Sequence, residues 1–198
     1  MQQYDNNYDT KGRFASYWHQ INEMQKLKPS KILEIGIGNG FIHNYFKNKG
    51  LKISTLDISK ELNPDYVGSV LSMPFEDKQF DVCLCCEVLE HLPFTEFTKA
   101  LQEIQRVSRN AVLSLPNASY YLVIQTKTTA NTFSKIVSFP KIFNRVYKFD
   151  GEHYWEIGKK GYLLNKIKRI IKENGFSIEK CYRLFEMPYH NFFILSKT

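Results

Sequence analysis

The nine residues ILEIGIGNG, positions 32–40, constrain the fold of this chain more than any others. Lys31 to Ile35 has the apolar, β-branched character of a short buried strand, and Phe41 to Lys49 reads as a helix. Gly36, Gly38 and Gly40 therefore fall on a strand-to-helix turn. Glycines this dense leave the space over the turn bare, and in an open parallel sheet that space is where ligands sit. From Lys31 onward strand-like and helix-like stretches alternate, which predicts an α/β fold, doubly wound, around a mostly parallel sheet. Strands are expected at 31–36, 51–57, 65–70, 81–87 and 110–116, with a closing pair near 177–187 and 190–197 that adds an antiparallel C-terminal strand. Helices are expected over Phe14 to Leu27, 39–49, 94–108 and 160–174, the last stopped by Asn174-Gly175, with a short turn at 59–64. Residues 1–30 read as an N-terminal helical cap and 117–155 as a lid or substrate-side insertion in a single domain spanning 1–198.

At 198 residues the chain suffices for one substantial core and not for two ordinary domains. No run approaches the ~20 apolar residues of a membrane span. The start, MQQYDNNYDTKGR, has no secretory pattern, so a cytoplasmic location is expected. Cys83, Cys85 and Cys86 crowd one strand, but alternation sends them to opposite faces and no second cluster exists. They read as small buried hydrophobes rather than metal ligands or a redox pair. The net charge of +7 is unevenly placed. Between Glu103 and Asp150 there is no acidic residue, while Arg106, Arg109, Lys127, Lys135, Lys141, Arg145 and Lys148 all fall there. That segment is either a solvated basic face or a surface for an anionic substrate, a nucleic acid or a membrane.

The glycines are spaced G-x-G-x-G, unlike the G-x-G-x-x-G that packs a helix over a pyrophosphate. The second strand ends in Thr55-Leu56-Asp57, which puts a carboxylate at the edge of the neighbouring strand, where it can accept both hydroxyls of a ribose. A nucleoside without phosphates, lying over bare backbone, describes S-adenosylmethionine. ILEIGIGNG, the Thr-Leu-Asp ending, YVGSVLSMPFEDKQFDVCLCCEVLEHLP and NAVLSLPN together resemble the successive motifs of class I S-adenosylmethionine-dependent methyltransferases of the small type 11 kind. The resemblance implies a Rossmann-like, seven-stranded fold. It implies that Glu34 orders the methionine end and that Gly36, Gly38, Asn39 and Gly40 meet the cofactor along the turn. Asp57 and Ile58 would meet the ribose end, Ser69 and Val70 the adenine, and the peptide at Cys86 and Glu87 would face the cofactor. Ser69 stands where the family usually has an acid, so the adenine contact is expected to be weaker or to come from backbone.

Glu87, Glu90 and His91 form E-x-x-E-H where the fourth strand is expected to turn into a helix, and i, i+3 and i+4 share one helical face. Such a convergence of carboxylates needs a cation or a proton. With the later His153, Trp155 and Glu156 (H-x-W-E), this stretch resembles ubiquinone-pathway O-methyltransferases and the enzymes that methylate the terminal ribose of small RNAs. In the RNA enzymes the matching residues hold a divalent metal; carried over, the ligands would be Glu87, Glu90, His91 and His153. Mg²⁺, Mn²⁺ and Zn²⁺ all suit two oxygen and two nitrogen donors. Three readings stand together: a metal site, His91 or His153 as a metal-free general base with Glu156 in the catalytic set, and a structural role.

Tyr120, Tyr121, Phe133, Phe139, Phe143, Tyr147 and Phe149 populate the insertion with its basic residues. They suit an aromatic, anionic or lipid-attached acceptor, single-stranded nucleotides, or the packing of an ordinary lid. Tyr17, Trp18 and His19 lie on the first helix, with Tyr17 a candidate for the cofactor carboxylate. The expected activity is methyl transfer to oxygen on a small-molecule or carrier-linked acceptor, producing S-adenosylhomocysteine. RNA methylation, and cofactor binding without catalysis, are the alternatives.

Overall fold

A computed structural model describes residues 8–128, 132–139, 149 and 151–198. Helix α1 (Lys11–Leu27) leads into β1 (Lys31–Ile35), α2 (Phe41–Asn48), β2 (Lys52–Asp57) and the two-residue β3 (Tyr66–Val67). Then follow β4 (Phe80–Cys86), α3 (Phe97–Val107), β5 (Ser108–Pro116), β6 (Tyr120–Lys127) and β7 (Thr132–Phe139), and finally α4 (Leu164–Glu173), β8 (Phe176–Arg183) and β9 (His190–Lys197). Seven strands form one sheet in the order β3-β2-β1-β4-β5-β9-β8. The first five are parallel, and β9 runs antiparallel to both of its neighbours. This is the doubly wound, mostly parallel sheet with an antiparallel C-terminal strand that the alternation predicts.

Strand alternation sorts the core into two layers. Leu33, Ile35, Cys83, Cys85 and Leu113 face α3 and α4, while Ile32, Val82, Leu84 and Val112 face α1 and α2. Glu34 occupies a Val82-side position in this pattern, which puts a carboxylate inside an otherwise apolar layer. The cysteines behave as small hydrophobes: burial pushes the Cys83 thiol up to about 12, and that of Cys85 well above its usual value.

Three expected elements differ. The third strand, expected over 65–70, stops at Val67, because the Ser69 hydroxyl accepts from Leu71 N (3.2 Å) and turns the chain. The helix expected to carry E-x-x-E-H is a single 3₁₀ turn, Leu89–His91; Leu92 is extended (φ −100°, ψ 147°) because Pro93 follows it. The insertion, for which the sequence predicts no regular element, contains an antiparallel ribbon, β6–β7. Of its aromatic and basic residues, Lys141, Phe143, Arg145, Tyr147 and Lys148 lie outside the described residues. Arg106, counted with the basic segment, is an internal anchor: its guanidinium donates to Glu103, Asp77 and the carbonyls of Met73 and Phe75. Among the described residues no helix is long and apolar enough to cross a membrane.

Candidate functional site

The bare turn has a local cause. Gly36, Gly38 and Gly40 all have left-handed backbones (φ 81°, 55° and 75°), and a Cβ on Gly36 would lie 2.4 Å from Val88 Cγ2. Close packing of the β4 loop therefore requires Gly36 before any ligand is considered. Around this turn lie two cavities that share Ile35, Gly36, Glu87 and Val88 as walls, so they meet over the glycines.

The first, about 90 Å³, is lined by Tyr8, Arg13, Tyr17, Gln20, Glu34, Gly38, Asn39 and Cys86 among others. Two of its groups are orphaned: Arg13 Nε and Glu34 Oε2 are buried with no hydrogen-bond partner. Burial, and after it the charge of Asp57, hold the Glu34 carboxyl well above the usual carboxylate range. A buried donor and a buried acceptor left open in one cavity fit a ligand with a carboxylate and an ammonium, as an amino acid has. Tyr17 lines the cavity, but its hydroxyl donates to Asp9 (3.1 Å) and its ring stacks on Phe41 (4.6 Å). Asn39 also donates to Asp9 (3.0 Å), and its Oδ1 accepts from Phe41 N at the start of α2 (3.1 Å). Arg13 rather than Tyr17 is the cationic group here; it sits one helical turn before Tyr17, a spacing the sequence held in plain view.

The second cavity, about 330 Å³, is lined by Leu56, Asp57, Ile58, Ser59, Leu62, Gly68, Ser69, Val70, His91 and Leu92 besides the shared residues. Asp57 ends β2, where Oδ2 accepts from Ile37 N (3.0 Å) and Oδ1 from Ser59 N (2.8 Å). The carboxylate thus ties the glycine turn to the neighbouring loop and presents its remaining lone pairs to the cavity. Ile58 is 78% exposed at the mouth, and Val70 is buried in the wall.

The E-x-x-E-H residues are not carried on one helix. Glu87 has a left-handed backbone (φ 53°), which swings its side chain back toward β5, where it accepts from Ser114 Oγ (2.7 Å). Its other oxygen lies 3.7 Å from Nε2 of buried His190, whose Nδ1 is 2.9 Å from Ser16 Oγ. Burial lowers the His190 pKa and keeps that ring neutral. Glu90 is fully buried with neither carboxylate oxygen partnered, and burial followed by the charge of Glu87 pushes it well above the usual range. His91 and His153 offer ligand atoms within 4.8 Å of one another and of Glu90; Glu87 is outside this group.

His91 Nδ1 donates to Glu152 O (2.9 Å), which leaves the basic lone pair on Nε2. His153, its ring centroid 5.0 Å from that of His91, sets Nδ1 3.2 Å from Glu156 Oε1. Burial raises the Glu156 carboxyl, but hydrogen bonds from His153, Lys159 and Tyr189 outweigh it and hold Glu156 below the usual range. Glu156 is therefore an ionised acceptor that orients His153, joined by the Tyr189 hydroxyl (2.9 Å) and Lys159 (3.1 Å). These side chains reach the strand ends because the chain returns beside β5: Ile157 N donates to Pro116 O and Ala118 N to Ile157 O, both at 2.9 Å. Gly158 (φ 87°) permits that contact, since a Cβ there would lie 2.0 Å from Ser119 Oγ. Beyond Glu156 and Tyr189 opens a further cavity of about 650 Å³, walled also by Asn117, Ser119, Tyr121 and Arg183. His91 lines the cavity over Asp57, and Glu156, the partner of His153, lines this further one.

Sequence reading missed Arg13, Tyr189 and His190. Arg13 was detectable by its spacing from Tyr17, whereas Tyr189 and His190 lie in a tight turn, closed by His190 N donating to Met187 O (2.9 Å), that matches no motif.

Residues 33–113 match the family model described as a methyltransferase domain. An uncharacterized protein of Methanocaldococcus jannaschii is 32% identical over 97 residues, 46% of this chain and only 41% of that protein's length. An uncharacterized methyltransferase of Staphylococcus carnosus is 22% identical over 180 residues, 84% of this chain and 79% of that one. In fold the chain is similar to the Burkholderia thailandensis 1,6-didemethyltoxoflavin-N1-methyltransferase solved with 1,6-didemethyltoxoflavin and S-adenosylhomocysteine. That match has a TM-score of 0.68 at 14% identity, over 100% of this chain and 84% of that one. The glycine turn, Asp57 and the E-x-x-E-H loop all fall in the matched span of residues 33–113, and the sheet order carries them in the Rossmann-like fold of class I methyltransferases.

Proposed function

We propose that the protein transfers the methyl group of S-adenosylmethionine to an oxygen of a small-molecule or carrier-linked acceptor and releases S-adenosylhomocysteine. The carrying observation is the pair of orphaned groups of opposite polarity, Arg13 Nε and Glu34 Oε2, in the cavity next to Asp57. Arg13 suits the carboxylate and Glu34 the ammonium of the methionine end, while Asp57 suits the ribose hydroxyls and the wall of Ile58, Ser69 and Val70 the adenine. The backbone at Gly36 and Gly38 and the peptide at Cys86–Glu87 line the passage between the two ends, while Gly40 lies outside both cavities at the start of α2. The cofactor supplies an activated methyl group on a sulfonium. The chain's contribution is to align the acceptor with it and to take the acceptor's proton. His153, oriented by Glu156 and Tyr189, is the best-placed base, with His91 beside it. A hydroxyl acceptor, which must lose its proton as it attacks, makes the fullest use of that pair.

A metal-assisted version has one specific support. Glu90 is a buried carboxylate with no partner beside two imidazoles, and a divalent cation would satisfy it. Glu90, His91 and His153 would hold such an ion, Mg²⁺, Mn²⁺ or Zn²⁺, without Glu87. Bound there, a metal lowers the pKa of a coordinated hydroxyl. Calorimetric titration with Mn²⁺ and Zn²⁺ tests this: saturable binding abolished by His153→Ala supports it, and silence at millimolar metal leaves His153 as a metal-free base.

The activity is tested by S-adenosylhomocysteine release over a panel of phenols, carrier-linked hydroxyl compounds, amines and short RNAs. Turnover with a hydroxyl acceptor, reduced at least about 100-fold by His153→Ala, is expected. An N-methylated product would overturn the oxygen assignment. Tight cofactor binding without any product would favour a binding module instead.

A further inference from the structure

The β6–β7 ribbon projects from the rim of the cavity lined by Tyr121 and Arg183, and its two faces differ. Directly opposed residues share a face, so Tyr121 with Ser138 lies on one and Leu122 with Val137, Ile124 with Lys135 and Thr126 with Phe133 on the other. The first face is held to the body only at its base, where the Arg183 guanidinium lies 4.6 Å from the Tyr121 ring centroid and donates to Ser138 Oγ (3.0 Å); farther along that face Val123 is 38% exposed. The second face has no layer over it among the described residues. Leu122, Ile124, Phe133 and Phe139 are 54%, 40%, 57% and 52% exposed. A two-stranded ribbon with a bare apolar face is poorly stable in water, and a contiguous patch of this kind marks a contact surface.

We propose that this face docks on an anionic lipid surface. Charge decides among the possible occupants. The two strands contain Lys127 and Lys135 and no acidic residue, within a sequence stretch from Glu103 to Asp150 that has none in between. Lys135 is on the apolar face itself, opposite Ile124, whereas Lys127 is the last residue of β6 and lies on the Tyr121 face, from which it reaches headgroups only at the ribbon's tip. A second copy of the chain would bring Lys135 against a face that offers no carboxylate, which opposes self-pairing. An anionic bilayer accepts both components: the side chains enter the acyl boundary, and the lysines extend to the headgroups. Docking this way brings the cavity beside Arg183 next to the bilayer, where a lipid-attached acceptor would be presented. The surface stands independently of the methyl-transfer reading.

The test is co-sedimentation of the full chain with vesicles of equal phosphatidylglycerol and phosphatidylcholine, against pure phosphatidylcholine. Two variants are compared, Leu122→Ser/Ile124→Ser/Phe133→Ser and Lys127→Glu/Lys135→Glu. Each is checked for unchanged circular dichroism and an unchanged melting shift with S-adenosylhomocysteine, so that loss of fold or of the cofactor site is read separately. Partitioning to the anionic vesicles is expected, weakened about tenfold or more by each variant and by high salt. Absence of wild-type partitioning, or equal partitioning to the neutral vesicles, overturns the proposal. A concentration-dependent dimer in light scattering that the triple serine variant abolishes, without vesicle binding, also overturns it and assigns the face to a second copy.

Discussion

Glu34 and Glu90 are carboxylates in places that carboxylates avoid, and each lacks a partner on at least one oxygen. Their folded-state pKa values lie above the unfolded ones. Their contribution to stability is therefore full below the ordinary carboxylate pKa and is lost as pH rises from there through the folded-state values. Glu90→Gln removes one of these ionisations at nearly constant volume. The variant is expected to be more stable than wild type at pH 8 by about 1–3 kcal/mol, with the difference closing below about pH 4, as read by denaturant melts. A gain that is the same at both pH values would contradict the buried-carboxyl account. Turnover should fall in the same variant, since the group that destabilises the fold is placed for chemistry. At this scale Glu34 and Asp57 were legible, because strand alternation and strand ends fix where their carboxylates go. Arg13 was missed although it sits one helical turn before Tyr17, because an arginine on a surface helix looks like a solvated one until Glu34 and Gly36 are found lining the same cavity.

Between residues and fold, the two loops that build the cleft are locked by one contact, Gly36 against Val88. Gly36→Ala places a Cβ 2.4 Å from Val88 Cγ2 on a backbone with φ 81°. It should destabilise the protein by about 2–4 kcal/mol. Adding Val88→Ala is expected to recover the clash and leave the left-handed strain of about 1 kcal/mol, giving a positive coupling in a double-mutant cycle. Additivity of the two changes would show that the loops are not packed as described. The strand–turn–helix here was readable from ILEIGIGNG, but the E-x-x-E-H helix was not what formed. Pro93 pushes Leu92 into an extended conformation, and Glu87 adopts a left-handed backbone, so the three side chains are not aligned on a helix and Glu87 falls outside the group formed by Glu90, His91 and His153.

For the molecule as a whole, the sheet order β3-β2-β1-β4-β5-β9-β8 puts the carboxyl ends of the five parallel strands β1 to β5 on one edge, and every candidate group except Arg13, Tyr17, Tyr189 and His190 comes from those ends or the return after the ribbon. The sheet was legible because its buried strands are apolar runs separated by turn residues. The ribbon was not, because a strand exposed on both faces, like Tyr120–Lys127, carries no burial pattern for a reader to detect. What joins sheet, loops and α1 into one account is a ligand with an amino-acid end and a ribose. Calorimetric titration of S-adenosylhomocysteine into the wild-type chain, Arg13→Met and Asp57→Ala measures it directly. One site per chain is expected, weakened about 10- to 100-fold in each variant as charge-assisted hydrogen bonds are lost. No heat and no melting shift with the wild-type protein, or unchanged affinity in both variants, would contradict the central claim.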